Sequence, residues 1–161
     1  MEITYLNEWT WAASFGRLLL ALAFAGGLAS TIGYVAAVAR PKSNWMTLGR
    51  WGFKVHAVGI FGAIGLIYLL IFSHRYEFQY IWKHLNDAMP TKLAFASFWG
   101  GQEGGFLLWM FWILLLAIVF LRRLPGKLEA PVMAIHSGVL TALSSMLLGL
   151  YFGDFQFGMD P

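Results

Sequence analysis

Long uninterrupted apolar stretches constrain this chain more than any other feature of its sequence. Several of them approach the roughly 20 residues that an α-helix needs to cross a bilayer. Apolar residues make up 59% of the 161 residues and charged residues only 12%, a balance that soluble domains rarely show. No alternating pattern of about ten residues recurs, which disfavours a membrane β-barrel. We therefore predict an all-α, polytopic transmembrane helical bundle.

Four membrane spans follow from where the apolar stretches begin and end. We expect a single membrane region with spans at about residues 15–38, 51–72, 104–121 and 131–152, and an outer loop at about 74–104. Small residues recur at helical spacing in the first two spans, which predicts close helix packing. They are Gly26, Ser30 and Gly33 or Tyr34 in the first span, and Gly59, Gly62, Ala63 and Gly65 in the second.

The outer loop and the fourth span carry further local signals. Residues 78–85 suit a short amphipathic helix at the membrane surface. Pro131 suits the first position of the fourth helix, where a missing N–H costs nothing. A polar stripe along this helix, which we expect to face protein rather than lipid, consists of Ser137, Thr141, Ser144 and Ser145.

Basic residues set the predicted orientation. Seven of the eleven Lys and Arg residues follow spans one and three, and the positive-inside rule places those turns in the cytoplasm. They are Arg40, Lys42, Arg50, Lys54, Arg122, Arg123 and Lys127. Both termini and the outer loop then face the opposite side, which gives an N-out/C-out topology. The spread of these charges over turns and helix ends gives no basic patch for nucleic acid, and the acidic start of the chain does not resemble a cleavable signal peptide.

The run from Trp99 to Trp109 reads WGGQEGGFLLW and is the main functional candidate. Glycines allow close backbone approach, while Gln102 and Glu103 supply polar groups and the two tryptophans suit a membrane interface. The candidate residues are Trp99, Gly100, Gly101, Gln102, Glu103, Gly104 and Trp109. A purely structural alternative is a helix N-terminus, with Glu103 near the positive end of the helix dipole.

This run, called the signature below, resembles the motif WGxxEGSLLLW of the CcmF family, membrane subunits of the haem lyase in cytochrome c maturation. Pro90, the Arg122-Arg123 helix exit and the segment from Gly149 to Phe157 stand at the family's intervals. Gly105 departs from the motif, because the family usually has Ser there.

The resemblance implies a function in cytochrome c-type biogenesis, in which the protein handles haem for covalent attachment to apocytochrome c on the outer face of the membrane. It implies a multi-pass protein of the bacterial inner membrane with the signature loop on the periplasmic side. Membrane lipid, haem, apocytochrome c and other maturation proteins are the expected partners. The chain has no cysteine, so a partner must hold the thiols, and we predict no catalytic residue here.

The resemblance covers only the first portion of a family chain that is several times longer. In the family, the tryptophan-rich haem-binding domain and its flanking histidines come after this portion. We therefore expect a fragment, or a chain that a companion completes, and we do not expect this segment to bind haem alone.

Histidines are the remaining candidates. His56 and His136 each lie about five residues inside the basic end of a predicted span, so they are weak candidates for a bis-imidazole haem site. Neutral, hydrogen-bonded histidines are the simpler interpretation. We interpret His74 and His84 as surface residues of the outer loop.

Two other classes of function stay open. In the first, these spans are a non-catalytic scaffold that anchors a larger complex. In the second, small-residue helix faces and intramembrane histidines indicate a small transporter subunit.

Overall fold

A computed structural model of the chain describes residues 9–40, 43–123, 126–149, 151–152 and 155–156. Its elements, in order, are α1 (Thr10–Ala39), α2 (Ser43–Phe72), α3 (Gln79–His84), α4 (Thr91–Ala96), a 3-10 turn (Ser97–Trp99), α5 (Gln102–Arg123) and α6 (Gly126–Leu147). Two-residue strands, β1 (Tyr151–Phe152) and β2 (Phe155–Gln156), pair antiparallel after α6. The predicted helical fold class is confirmed.

Four of these helices are long and apolar enough to cross a membrane. The candidate spans are Thr10–Ala39, Asn44–Phe72, Gln102–Arg123 and Gly126–Leu147. At about 1.5 Å per residue, the two shorter ones still match a hydrocarbon core of about 30 Å. The four predicted spans therefore correspond one to one with four helices.

Close packing of α1 against α2 forms the centre of the bundle. A Cβ atom built on Gly52 would lie 2.5 Å from the backbone nitrogen of Ser30, and one built on Gly26 would lie 2.6 Å from that of His56. Only glycine permits this approach of two helix backbones. The predicted small-residue stripes are thus present, except that Gly65 faces open space.

Helix α6 packs against this pair through polar contacts. The hydroxyls of Thr31 and Thr141 lie 3.1 Å apart, and the side chains of Ser137 and Ser144 are buried. Glu129 accepts two hydrogen bonds of 2.7 Å from the Arg50 guanidinium. The expectation that this stripe faces protein holds for the buried serines, whereas the Ser145 hydroxyl is exposed and bonds to its own helix.

The helix boundaries differ from the predicted spans for local reasons. Helix α6 begins at Gly126, so Pro131 lies inside it and the prediction that Pro131 is its first residue is wrong. Helix α6 ends at Leu147 because Gly149 takes a φ of 63°, which favours glycine and stops a helix. Helix α2 begins eight residues before the predicted span. The part of the tail at 153–154 and 157–161 lies outside the described residues.

Candidate functional site

The signature begins as a turn and continues as a helix. Trp99 closes the 3-10 turn, and α5 starts at Gln102, so Glu103 lies in the first turn of that helix. A carboxylate in this position interacts favourably with the helix dipole. The outer loop therefore ends before Gln102 rather than at the predicted residue 104. The helix N-terminus, which the sequence left open as an alternative, is present.

Helix α3 packs directly onto this turn. The Tyr80 hydroxyl donates a 2.5 Å hydrogen bond to the backbone carbonyl of Phe98. A Cβ atom at Gly104 would overlap both that carbonyl oxygen and the Tyr80 hydroxyl. Gly104 is thus required by a three-way contact between α3, the turn and α5, which we call the Tyr80 clamp.

The clamp hydroxyl is a donor at physiological pH, and its surroundings extend the pH range over which it keeps its proton. Burial raises the pKa of Tyr80 above its ordinary value, and the negative charge of Glu103 acts in the same direction. The hydroxyl therefore stays protonated throughout the physiological pH range and donates to Phe98.

His84 also belongs to this site, although the sequence predicts it to be a surface residue of the outer loop. Its Nδ1 atom lies 2.8 Å from the carbonyl oxygen of Tyr80, and because a carbonyl only accepts, Nδ1 carries the proton. A Cβ atom at Gly101 would lie 3.0 Å from His84 Cε1, 3.0 Å from Glu103 Oε2 and 2.7 Å from the Tyr80 ring. His84, Glu103 and Tyr80 thus surround Gly101. No local pattern in the sequence connects residues this far apart along the chain.

An aromatic cleft of about 420 Å³ opens beside the turn. Its lining consists of Ile64, Tyr68, Phe95, Phe98, Trp99, Leu108, Phe111 and Trp112. The Tyr68 ring stacks on Phe95 and on Phe98, with centroids 4.9 and 4.8 Å apart. Phe98 therefore links the two features, because its carbonyl belongs to the Tyr80 clamp and its ring forms a wall of the cleft.

The structure separates the two tryptophans of the signature. Trp99 lines the aromatic cleft, whereas Trp109 lines a separate pocket of about 200 Å³ with Gln102, Gly105 and Phe106. Gly105 has no atom within 4 Å of a built Cβ. A serine, as in the family motif, would therefore fit at this position.

The two intramembrane histidines contact different elements. Nδ1 of His56 lies 2.7 Å from the Ala23 carbonyl of α1, whereas the His136 ring meets Phe120 of α5 edge-on at 5.1 Å. Both lie near the middle of their helices, deeper than the predicted spans implied, because α2 and α6 begin earlier than expected. Among the residues that the structure describes, no three His, Cys, Asp or Glu side chains come together as a metal site.

The residues of the cleft fit the ring of a haem but not its iron. The rings that line the cleft offer faces and edges to a flat apolar group, and 420 Å³ lies within the usual range of ligand pockets. The lining includes no histidine or methionine that could ligate iron.

Fold and site together define a polytopic helical membrane protein. One end of its bundle carries the glycine-containing signature, which the Tyr80 clamp holds, beside the aromatic cleft. Comparison with curated proteins narrows this class. The cytochrome c-type biogenesis protein CcmF of Pseudomonas aeruginosa is 28% identical over 140 residues, which is 83% of this chain and 21% of that protein. CcmF of Pseudomonas fluorescens is 30% identical over 56% of this chain and 14% of that protein.

A third relative is the cytochrome c-type biogenesis protein CycK of Rhizobium meliloti, 23% identical over 83% of this chain and 20% of that protein. The resemblance to the CcmF family is confirmed by these matches, and the chain spans about a fifth or less of the length of these relatives. No family model matches the chain. No solved structure matches it either.

Proposed function

We propose that this chain serves cytochrome c maturation as part of a CcmF-like membrane protein. The observation that carries the proposal is the match to cytochrome c-type biogenesis proteins over most of this chain, and the geometry of the signature agrees with the family motif. Gly104, one of the two glycines that the motif shares with this chain, is the one that the Tyr80 clamp requires. Gly105, where the motif usually has serine, has room for that side chain.

We further propose that the signature end lies on the outer face of a bacterial inner membrane and handles haem there. Haem supplies the vinyl groups that cysteine thiols of apocytochrome c attack. Under this proposal the chain contributes positioning rather than acid–base chemistry. The Tyr80 clamp fixes Phe98 and Trp99, and Glu103 stabilises the start of α5 through the helix dipole.

Cysteine labelling tests the proposed orientation. The chain has no native cysteine, so Gln102→Cys and Lys127→Cys each introduce a unique thiol at an exposed position at opposite ends of the bundle. A membrane-impermeant maleimide added to intact spheroplasts should label Gln102→Cys and leave Lys127→Cys unlabelled. The reverse pattern contradicts the proposed orientation.

A maturation assay tests the proposed function. Glu103→Gln removes the charge at the signature, and Glu77→Gln is the matched control, because Glu77 accepts a hydrogen bond from the Trp9 backbone away from the signature. We expect Glu103→Gln to lower covalently bound haem on c-type cytochromes several-fold at equal membrane levels of the protein. Equal haem attachment in both variants would instead favour the scaffold function.

A further inference from the structure

Three buried polar groups along the contact between α1 and α2 have no hydrogen-bond partner among the residues that the structure describes. They are the Tyr34 hydroxyl, the Ser30 hydroxyl and the Nε2 atom of His56. All three residues are at most 1% exposed. Ser137 and Ser144, which are also buried in a span, donate instead to carbonyls of their own helix. Because the bilayer core offers no hydrogen-bond partners, the three groups need a partner inside the bundle.

The three groups lie one helical turn apart and lead from one end of the bundle to its middle. Tyr34 and Ser30 are four residues apart on α1. A Cβ atom on Gly52 would lie 2.5 Å from the Ser30 nitrogen, and His56 is four residues further along α2. A rise of about 1.5 Å per residue makes each step about 6 Å long. One water molecule with two hydrogen bonds of about 2.8 Å spans about 5.5 Å, which is close to the length of each step.

The hydrogen-bonding character of these groups selects water as the ligand. His56 Nδ1 donates its proton to the Ala23 carbonyl oxygen, 2.7 Å away, so Nε2 of the neutral ring can only accept. The Ser30 hydroxyl both donates and accepts. Water can donate to Nε2 and accept from the hydroxyl, whereas an anion has no proton to donate. Within the described part of the chain, no group of three metal-ligating side chains includes His56.

The geometry opens this row of polar groups at one end and closes it at the other. At the end of the bundle opposite the signature, Arg50 pairs with Glu129, and its side chain is 55% exposed. Both side chains interact electrostatically with the Tyr34 hydroxyl. Beyond His56 the two helices are in tight apolar contact, since a Cβ atom on Gly59 would lie 2.7 Å from the backbone of α1. Water therefore reaches the row from the end that carries Arg50.

From these observations we infer that bound water bridges Tyr34, Ser30 and His56 and forms a path from the Arg50–Glu129 end to the middle of the bundle. We call this the buried water path. It gives the His56 ring contact with exchangeable protons, although the ring lies in the middle of a span. The inference does not rest on the proposed function, because the path belongs to α1 and α2 and lies away from the signature.

Transfer of magnetisation from water protons in NMR tests the inference on the complete chain in phosphatidylcholine nanodiscs. Isotope-labelled histidine reports His56 and His136 in one spectrum, and His56→Gln identifies the His56 signal by its loss. His136 is the internal control, because it also lies in a span but bonds to its own helix and packs edge-on against Phe120. We expect strong transfer from water to the His56 ring and none to His136, although His56 is the more deeply buried. Equal transfer to the two rings, or no transfer to His56, would overturn the inference.

Substitutions along the row test whether the water forms a path. Ser30→Ala and Tyr34→Phe each remove one hydroxyl that binds the bridging water, so each should lower transfer to His56 several-fold. Ser137→Ala is the matched control, because it removes a buried hydroxyl that bonds to the Met133 carbonyl of its own helix, and transfer should stay unchanged.

Circular dichroism shows whether each variant is folded. Unchanged transfer in a folded Ser30→Ala or Tyr34→Phe variant would overturn the path. The comparison of His56 with His136 in the unsubstituted chain decides the inference even if these variants do not fold.

Discussion

Replacing Gly104 by alanine tests the Tyr80 clamp most sharply. The added methyl group overlaps the carbonyl oxygen of Phe98 and the Tyr80 hydroxyl, so the turn must move away from α3 and α5. Losing the hydrogen bond between those two groups costs about 0.5–1.5 kcal/mol. Forcing a methyl group into a filled site costs about 1–3 kcal/mol more. We therefore expect Gly104→Ala to lower the free energy of unfolding by about 2–4 kcal/mol.

Gly105→Ala is the matched control for this substitution. Gly104 and Gly105 both lie in the first turn of α5, but no atom approaches a Cβ at Gly105. Any gain in helix propensity, up to about 1 kcal/mol, is common to both variants. The difference between the variants therefore measures the clamp, and Tyr80→Phe measures the hydrogen bond alone, at about 1 kcal/mol.

Thermal unfolding of the detergent-solubilised chain, followed by circular dichroism, gives the comparison. For a chain of this size about 1 kcal/mol corresponds to a shift in Tm of about 2–4 °C. Gly104→Ala should therefore unfold about 4–16 °C below Gly105→Ala. Equal Tm values for the two variants would refute the clamp, because the methyl group would then have found room that the structure does not provide.

Three other predictions concern different parts of the chain. Gly59→Ala should lower the Tm, because a Cβ at Gly59 lies 2.7 Å from the Leu19 carbonyl oxygen. Gly65→Ala should leave the Tm unchanged, because Gly65 faces open space. Equal Tm values for the two variants would contradict the close packing of α1 against α2. Arg50→Gln should destabilise the chain by about 1–2 kcal/mol in thermal unfolding, since the mostly buried Glu129 loses its partner; an unchanged Tm would show that the pair contributes nothing.

The hydrogen bond from Tyr76 to Asp87 raises the pKa of Tyr76 to about 12. The raised pKa means that this bond stabilises the fold below pH 10 and is lost as the pH rises through 12. Asp87→Asn should return the pKa toward 10.0, its ordinary value. An NMR titration of labelled tyrosine measures the change, and an unaltered titration would show that the bond does not form in solution.

The sequence predicts the spans well because the apolar stretches are long compared with any alternative element. It underestimates α2 because Arg50 and Lys54 resemble a polar turn. In the fold Arg50 pairs with Glu129 of α6, and the Lys54 ammonium lies 4.5 Å from the centre of the Trp51 ring. Long basic side chains can place their charge at the interface while the helix continues. Charge near the end of an apolar stretch therefore does not mark the end of a helix.

The candidate functional site is only partly predictable from the sequence, for a similar reason. Glycine and tryptophan predict a close approach to a ligand and a membrane interface, whereas the close approach that the fold shows at Gly104 is to the Phe98 carbonyl and the Tyr80 hydroxyl. The partners that make it necessary, Tyr80 and His84, come from a separate short helix, and the cleft adds Tyr68 of α2. Contacts between elements follow from the path of the chain, which periodicity does not encode. For this reason the sequence grouped Trp109 with Trp99, whereas the structure places Trp112 beside Trp99.

Covalent haem attachment in cells that depend on this protein tests the account most directly when Trp112→Ala is compared with Trp109→Ala. If a porphyrin ring is handled in the cleft that the Tyr80 clamp supports, haem-stained c-type cytochromes fall several-fold with Trp112→Ala and stay near the wild-type level with Trp109→Ala, at equal amounts of membrane-inserted protein. Equal haem attachment in the two variants would contradict the account.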